Sequence, residues 1–373
     1  MKDYPINSTT YWEALRLKCV EFAYVLLCLR GCLSWLGINT FAFTLLLNLI
    51  LLISIDYRRI TKEYLIVVFF VALIPFNRSA ISNVDLILMA LLLRPFPVKK
   101  VASIYLGVLL CFLVLWLILY YSGFLETKEL YTDKKGTFNT YGFNNANGLG
   151  MFGFHIGACF FLILGRKNYL VSLILILAIN QIFYGLSASR TPWMGGILFA
   201  LCILLKVVGL LGYKSRNLIS FLPILLTLIC YYFYYNFAEF FLFDVFLSGR
   251  LSLIGGMMQK MTPINWLIGY NWDSEIPLDG SYILLLFSGG ILFVILFWTI
   301  FYKAVKFHYY RLSAYIPFIL AMLACGCGEN TFSECTGLSV VFWSLLMLGL
   351  KSSERKKRKH VFKNRLSYGE RHS

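Results

Sequence analysis

Apolar blocks of about 15 to 23 residues recur along almost the whole of this 373-residue chain, and each is close to the length that a helix needs to cross a bilayer. Hydrophobic residues make up 59% of the chain and charged residues 14%, whereas a soluble domain carries about 25% charged residues. The sequence therefore predicts an all-α, polytopic integral membrane protein of about twelve transmembrane helices.

The predicted spans cover residues 19–36, 38–55, 63–76, 80–94, 101–123, 146–165, 168–186, 192–212, 217–235, 280–302, 312–328 and 336–350. The third and fourth are short, and each is predicted to be either a shorter crossing or a partly re-entrant segment. Residues 1–350 form one predicted transmembrane domain with a long extracytoplasmic loop at about 236–280, and residues 351–373 form a basic cytoplasmic tail. No cleavable signal peptide is expected, because the first apolar block lacks a small-residue cleavage site.

Lysine and arginine are distributed unevenly between alternate loops. Of the 34 in the chain, 25 lie in loops on one predicted side and seven on the other, while Arg30 and Lys206 fall within spans. Because cytoplasmic loops carry the excess of positive charge, both termini are predicted to be cytoplasmic. The run Arg355–Lys359 directly follows the last span, so the net charge of +16 is assigned to topology and to anionic lipid headgroups rather than to nucleic acid.

The cysteines do not predict a metal site. Most of the ten lie in apolar spans, where cysteine acts as a small packing residue. Cys325, Cys327 and Cys335 lie near the predicted outer side, but a fourth ligand and a nearby histidine are missing. A disulfide among these three remains an open alternative if that side is oxidising.

The long outer loop contains a predicted amphipathic helix. Ser248-Gly249-Arg250 precedes a set of apolar residues at helical spacing. These are Leu251, Ile254, Met257, Met258 and Met261. The pattern predicts a helix on the membrane surface, with Ser248 as its cap and Arg250 at its N-terminal end, close to the lipid headgroups. A pure packing role for the helix explains the pattern as well.

Two polar clusters occur where predicted spans begin on the outer side. The segment Tyr141–Gly150 contains Asn144, Asn145 and Asn147, whose amides offer donors and acceptors, although a loop with a helix cap explains them too. In Ser187-Ala188-Ser189-Arg190-Thr191-Pro192, the proline suits the first turn of a new helix. The fixed charge and fork shape of Arg190 suit phosphate oxygens, while snorkelling to the headgroups is the alternative.

A third cluster, Asn271–Tyr282, ends the long loop. Asp273, Glu275 and Asp279 give only a weak signal for a divalent cation, since they follow no ligand spacing. Asp279 as a general base is the sharper hypothesis. A solvated loop carboxylate is the alternative.

Further charged residues accompany these clusters. Arg78 on the outer side suits a diphosphate or a headgroup, and Glu329 and Glu334 suit sugar contacts of second rank. Glu21, Arg30 and Asp85 lie within or near apolar spans, where charged residues are functional by default. Glu21 and Arg30 are expected either to pair within the first helix region or to move toward its ends.

The order of these motifs resembles the O-antigen polymerase and ligase family of bacterial surface-glycan enzymes. The resemblance rests on Gly142–Gly150, Ser187–Arg190, a long outer loop with Gly249-Arg250, and Ile268-Gly269-Tyr270 followed by Leu278–Tyr282. It covers roughly residues 138–300. Each motif is short, so the resemblance depends on their order, spacing and shared side.

The resemblance implies an all-helical bundle on the bacterial cytoplasmic membrane that transfers glycan from undecaprenyl diphosphate at the outer face, without metal, nucleotide sugar or other cofactor. Arg190, Arg250 and Asp279 are the implied catalytic residues, the two arginines holding the diphosphate. The candidate substrate-binding residues are Arg78, Asn144, Asn145, Asn147, Ser187, Ser189, Tyr282 and Glu329. The implied partners are an undecaprenyl-diphosphate-linked oligosaccharide, membrane lipid, and the flippase and chain-length regulator of an O-antigen, capsule or exopolysaccharide pathway.

Two other functions remain in competition with polymerisation. A ligase of this family typically has a histidine just before the following span, where this chain has Asp279-Gly280-Ser281-Tyr282; its histidines are His155, His308, His360 and His372. A transporter or flippase also fits about twelve spans, but such proteins usually show repeated halves and polar groups near the midplane. No repeat is evident in the chain, and the polar clusters share one side, so a polymerase is the favoured prediction.

Overall fold

The computed structural model describes residues 8–57, 63–78, 80–127, 129–132, 136–165, 168–240, 242, 244, 249–271 and 279–350. Within these residues the chain is almost entirely helical. The helices are α1 (Ser8–Trp35), α2 (Phe41–Ser54), α3 (Tyr64–Leu73), α4 (Ala80–Leu93), α5 (Val98–Tyr121), α6 (Ala146–Leu164), α7 (Tyr169–Ser187), α8 (Arg190–Val207), α9 (Arg216–Tyr235), α10 (Arg250–Gln259), α11 (Pro263–Ile268), α12 (Ser281–Leu312), α13 (Ile316–Cys325) and α14 (Gly337–Leu350). Four features of the sequence analysis lie outside the described residues: Ser248, Asp273, Glu275 and the tail 351–373.

The helices are those of a membrane protein. Among the described residues, six are long and apolar enough to cross a bilayer, namely α5, α6, α7, α8, α9 and α12, and five shorter apolar helices accompany them. Large apolar side chains are exposed on their outward faces, including Leu49 at 58%, Val114 at 57% and Leu228 at 55%. Such surfaces suit lipid better than water. A helix occupies each of the twelve predicted spans, and the number of crossings remains a prediction.

Helix α14 lies in the core and packs on α4, α5 and α12. Its side chains from 338 to 347 are buried. The Trp343 ring stacks on Phe293 of α12 with centroids 6.0 Å apart, and its indole N–H donates to the Phe332 carbonyl over 2.7 Å. The loop between α13 and α14, which carries Glu329, is therefore held against the core.

A β-hairpin in the predicted outer segment was not anticipated from the sequence. Strands β1 (Glu129–Thr132) and β2 (Gly136–Asn139) pair antiparallel, with Glu129 opposite Asn139. Each strand has four residues, which is too short for alternation of apolar and polar residues to be recognised along the chain. The hairpin interrupts an otherwise helical fold at the segment that leads into α6.

Helix α10 begins at Arg250 and buries its apolar face on α9 and on the 3-10 helix Phe237–Phe240. The buried side chains include Leu251, Ile254, Met257 and Met258. The first backbone N–H groups of the helix, from Leu251 and Ser252, donate to one oxygen of Asp244 over 2.7 and 3.2 Å. An acidic group at this end also suits the helix dipole. The apolar face therefore packs on protein, as in the packing alternative.

Helix α11 is docked beside a break in α12. Gly290 has a φ of 66°, a conformation that glycine adopts without strain, and a Cβ there would collide with the Leu267 backbone. The Phe287 carbonyl accepts hydrogen bonds from the Tyr270 N–H over 2.8 Å and from the Asn77 amide over 2.7 Å. The outer loop is thus fastened to the bundle through a helix kink.

The charged residues within spans are paired differently from the expectation. Arg30 contacts Asp85 over 3.1 Å, and Glu21 contacts Lys100. The alternative in which Glu21 pairs with Arg30 is not realised, because each side chain finds a partner on a neighbouring helix. A buried arginine is better compensated by a carboxylate that faces it across a helix interface.

The predicted orientation can be tested with reporter fusions. Alkaline phosphatase joined after Lys260 is expected to be active, since its disulfides form only on the oxidising side of the membrane. A fluorescent protein joined after Lys214 is expected to fluoresce, because the charge distribution places that loop in the cytoplasm. The reverse pattern of activities would overturn the orientation, and each reporter at the other position is the matched control.

Candidate active site

A partly open cavity of about 310 Å³ lies where several polar segments meet. It is lined by Ser34, Trp35, Asn145, Asn147, Gly148, Met151, His155, Asp279, Glu329, Asn330, Glu334 and Thr336. These residues come from the end of α1, the first half of α6, the residue pair before α12 and the loop between α13 and α14. All of these segments begin or end on the side with few lysines and arginines, so residues distant in sequence converge at one end of the bundle.

Arg250 lies beside two carboxylates of this cavity. Its guanidinium is 2.9 Å from Asp279 and 4.0 Å from Glu329, and it also donates to the Gly328 carbonyl over 3.0 Å. Arginine has five N–H donors, so these contacts leave donors unused. The side chain is about one quarter exposed, which keeps it accessible to a ligand.

The environment makes Glu329 an unusual carboxyl group. Burial and, to a smaller extent, the nearby charge of Asp279 raise the pKa of Glu329 to about 8, against the opposing effects of Arg250 and a hydrogen bond from Thr191. Its Oε1 atom is buried and has no hydrogen-bond partner among the described residues. Such a group exchanges a proton near neutral pH, as an acid–base catalyst does.

The other two carboxyl groups of the cavity, Asp279 and Glu334, also have raised pKa values, and each lies near a cation that opposes the rise. Burial raises the pKa of Asp279 while the adjacent Arg250 lowers it, so Asp279 is an ion-paired group. Burial also raises the pKa of Glu334, again opposed by a cation, Arg30; its side chain nonetheless keeps surface exposed to the cavity. Of the three, Glu329 is the best placed to accept and release a proton.

Two asparagine side chains make hydrogen bonds that stabilise the start of α6. The Asn145 side chain accepts from the Gly148 N–H over 2.7 Å and caps the helix, as the capping alternative requires. Asn147, in the first turn of α6, accepts a hydrogen bond of 2.6 Å from the Ser189 hydroxyl. The beginnings of α6 and α8 are therefore tied together at the cavity rim, and both asparagines keep surface toward the cavity.

Strained turns flank the two polar motifs. Among the described residues, Tyr141 and Ala188 are the non-glycine residues with positive φ, at 50° and 48°, which is uncommon outside glycine. Ala188 ends α7 with its N–H bonded to the Tyr184 carbonyl, and the turn directs Ser189 toward α6. Strain of this kind is often found at functional sites.

Arg190 begins α8 beside the cavity wall. Its neighbour Thr191 bonds to Glu329 and lies against Gly328. Arg190 itself is half-buried, does not line the cavity, and has no ion-pair or hydrogen-bond partner within the described part of the chain. No described residue therefore neutralises its charge.

Four of the predicted site residues lie elsewhere or point away. Arg78 is exposed in the turn before α4. The Asn144 backbone N–H donates to the Trp35 carbonyl over 2.7 Å, and its side chain is exposed. Ser187 donates to the Phe183 carbonyl over 2.7 Å. Tyr282 is buried, and its hydroxyl donates to the Leu323 carbonyl over 3.1 Å, a packing contact rather than a cavity contact.

Several lining residues were missed from the sequence. Met151 and His155 were not among the predicted site residues; they follow the predicted Asn147 at intervals of four residues and so share its face of α6. This spacing links the polar helix start to the histidine inside the span. Ser34 and Trp35, at the end of α1, carry no motif. Their position depends on how α1 packs on α6, which residue spacing within α1 does not show.

Metal-binding groups and disulfides are not evident in the described residues. No set of three or more His, Cys, Asp or Glu side chains there has the arrangement to hold a metal ion. All ten cysteines are free thiols, including the three near the cavity end. The disulfide alternative is therefore not realised in this structure.

No protein-family model, curated protein sequence or solved structure matches this chain.

Proposed function

We propose that this protein is a polysaccharide polymerase, a metal-independent membrane glycosyltransferase that joins lipid-diphosphate-linked oligosaccharide repeat units at the outer face of the bacterial cytoplasmic membrane. The observation that carries the proposal is the cavity at one end of the bundle, where Arg250, Asp279 and Glu329 lie together. A cation beside a carboxyl group of raised pKa combines the two parts that this transfer needs. The motif order described above supports the same class of enzyme.

The arginines suit the departing lipid diphosphate. When the glycosidic bond breaks, the leaving diphosphate gains negative charge, and a fixed cation stabilises that charge in the transition state. Arg250 keeps unused donors, and Arg190, at the start of α8, has no ion-pair partner among the described residues. Guanidinium groups bind phosphate oxygens through paired hydrogen bonds, so the two are assigned to the diphosphate.

Glu329 is assigned as the base that accepts the proton of the attacking sugar hydroxyl. Its pKa of about 8 makes it a stronger base than an ordinary carboxylate. Its Oε1 atom lies 4.0 Å from the Arg250 guanidinium and accepts no hydrogen bond from the described residues, so a sugar hydroxyl can donate to it. Asp279 stays a candidate for the same role, but its ion pair with Arg250 weakens it as a base. Asp279 then serves to position Arg250.

The deciding experiment is the length distribution of surface glycan in a strain that lacks the gene, with and without its restoration. Chains that collapse to single repeat units on their acceptor support the polymerase. Long chains that accumulate on the lipid diphosphate identify a ligase instead. Repeat units retained on the cytoplasmic side of the membrane identify a transporter.

Replacing Arg190 with alanine is expected to reduce long glycan by roughly 10- to 100-fold, since one fixed cation at the diphosphate is lost. Arg190→Lys is expected to recover only part of the activity, because a point charge lacks the fork geometry. Gel analysis of glycan length in the complemented strain measures both, at equal amounts of membrane-inserted protein. Lys206→Ala, at the other end of α8, is the matched control. Normal glycan in Arg190→Ala would remove this residue from the diphosphate site.

A further inference from the structure

His155 lies at the inner end of the cavity with one ring nitrogen unused. The residue is 1% exposed and lines the cavity. Its Nδ1 atom is 2.6 Å from the Tyr105 hydroxyl, while Nε2 is buried and has no hydrogen-bond partner among the described residues. Neither the polymerase proposal nor the sequence motifs assign it a role.

The tyrosine fixes which nitrogen carries the proton. The Tyr105 side chain is 2% exposed, and within the described structure its hydroxyl has His155 Nδ1 as its one hydrogen-bonding neighbour. The phenol O–H therefore donates to Nδ1, and in neutral imidazole the proton then resides on Nε2. Tyr105 is a positioning residue that presents the Nε2–H as a donor.

The position of His155 along α6 sets how far its Nε2–H donor lies from the polar rim of the cavity. His155 is two steps of four residues beyond Asn147 on the same face of α6, which corresponds to about 12 Å along the axis. Met151 lies between them. The cavity thus extends from Asn147 at the polar rim to His155, whose imidazole lies against the Trp35 ring.

The residues around His155 indicate which class of ligand its Nε2–H can bind. Trp35 is 5.2 Å from the imidazole between ring centroids and also lines the cavity, so it offers an aromatic surface. Among the described residues that line the cavity there is no lysine or arginine, and the imidazole is a neutral donor, so the inner end of the cavity favours an uncharged ligand over an anion. At about 30 Å³ for each water in the liquid, the volume of about 310 Å³ holds roughly ten waters, enough for a sugar ring.

We propose that the inner end of the cavity is a subsite for an uncharged sugar, whose hydroxyl or acetamido oxygen accepts a hydrogen bond from His155 Nε2–H while its ring lies against Trp35. The subsite rests on the proposed function in that the sugar belongs to the glycan being extended. The diphosphate stays at the rim with the arginines. The cavity thus has one end that binds an anion, at the rim, and one that binds an uncharged sugar.

The test uses the full chain in lipid nanodiscs, labelled with ¹⁵N-histidine. The chain has four histidines, so comparison with His155→Phe assigns the His155 signals. The probes are glucose, a deoxyhexose, N-acetylglucosamine and, as the anion, inorganic pyrophosphate. At least one sugar is expected to shift the Nε2 signal in a saturable way, whereas pyrophosphate leaves it in place.

Matched variants separate binding from folding. For the responsive sugar, His155→Phe should weaken affinity by about five- to tenfold, the loss of one neutral hydrogen bond, and His155→Gln should recover part of it through its amide donor. Tyr105→Phe should change the His155 tautomer signals before any sugar is added. His308→Phe makes the same substitution at a histidine that does not line the cavity and should bind like the native chain.

The failure of this subsite differs from the failure of the polymerase. If no sugar shifts His155, or if pyrophosphate shifts it as strongly as the sugars do, the subsite is overturned, whatever the glycan assay shows. If a sugar shifts His155 but deletion of the gene leaves glycan length unchanged, the polymerase proposal fails and the sugar subsite stands.

Discussion

Arg250→Ala is expected to lower the yield of long glycan by at least roughly 100-fold, the range found when a preorganised charge is removed from a transition state. Arg250 contacts Asp279 and the Gly328 carbonyl and lies 4.0 Å from Glu329, so it lies at the centre of the site. The measurement is glycan length in the complemented deletion strain. Lys260→Ala changes an exposed cation of the same loop and should have no effect.

The loss in Arg250→Ala has two sources that a double variant separates. Removing the guanidinium deprives the diphosphate of a partner, and it also leaves Asp279 without its counter-charge, which destabilises the fold. Combining Arg250→Ala with Asp279→Asn removes both charges, so stability in detergent should recover. Activity should stay low, since the phosphate contact is still absent. Recovery of glycan length in the double variant would show that Arg250 only neutralises Asp279.

Glu329→Gln is expected to reduce the rate of polymer formation by roughly 100-fold or more, because a positioned base contributes about 10²- to 10⁴-fold. In the native protein the carboxyl must be ionised to accept a proton, and its pKa is about 8. The rate should therefore rise from pH 6 to pH 9 with a midpoint near pH 8. Proteoliposomes supplied with lipid-linked repeat units allow that profile to be measured.

Asp279→Asn distinguishes the two candidate bases. If Glu329 is the base, the Asp279 variant loses activity but keeps a rise with pH, and Glu329→Gln flattens the profile. If instead the rise disappears in Asp279→Asn and persists in Glu329→Gln, the base is Asp279. Either result leaves the arginine assignments untouched.

The same carboxyl makes stability depend on pH with a defined sign. The folded-state pKa of Glu329 is raised, from an ordinary 4.5 to about 8, so its contribution to stability is present below about pH 4.5 and is lost as pH rises through 8. Glutamine carries no such charge. The melting temperature of Glu329→Gln in detergent should therefore exceed that of the native protein at pH 9, by an amount equivalent to a few kcal/mol at most.

The helices of this fold were readable from the sequence because each apolar block is a long, uniform signal. Their lateral packing was not. A span that is apolar on every side shows no preferred face, so Trp35 gave no sign that it would meet α6, and Arg30 none that it would meet Asp85. The hairpin at β1 and β2 was missed for a different reason, since four-residue strands carry too little pattern.

The site residues that the sequence predicted correctly are those whose residue type is typical of a turn or a helix start. Asn145, Asn147 and Ser189 stand at helix starts, where polar residues mark both the cap and the rim of the cavity. Glu329 was ranked below Asp279 because its raised pKa arises from burial and from neighbours far along the chain. Tyr282 looked polar in the sequence, yet its hydroxyl bonds to the Leu323 carbonyl inside the bundle.

The fastening of α11 at the break in α12 has a consequence for the proposed polymerase. The element that carries Arg250 contacts the bundle where its guanidinium meets Gly328 and again where Tyr270 meets Phe287. Under that proposal, contacts at these two points keep Arg250 beside Asp279 while the glycan lengthens. The glycan, and not this arginine, is then expected to change position after each addition.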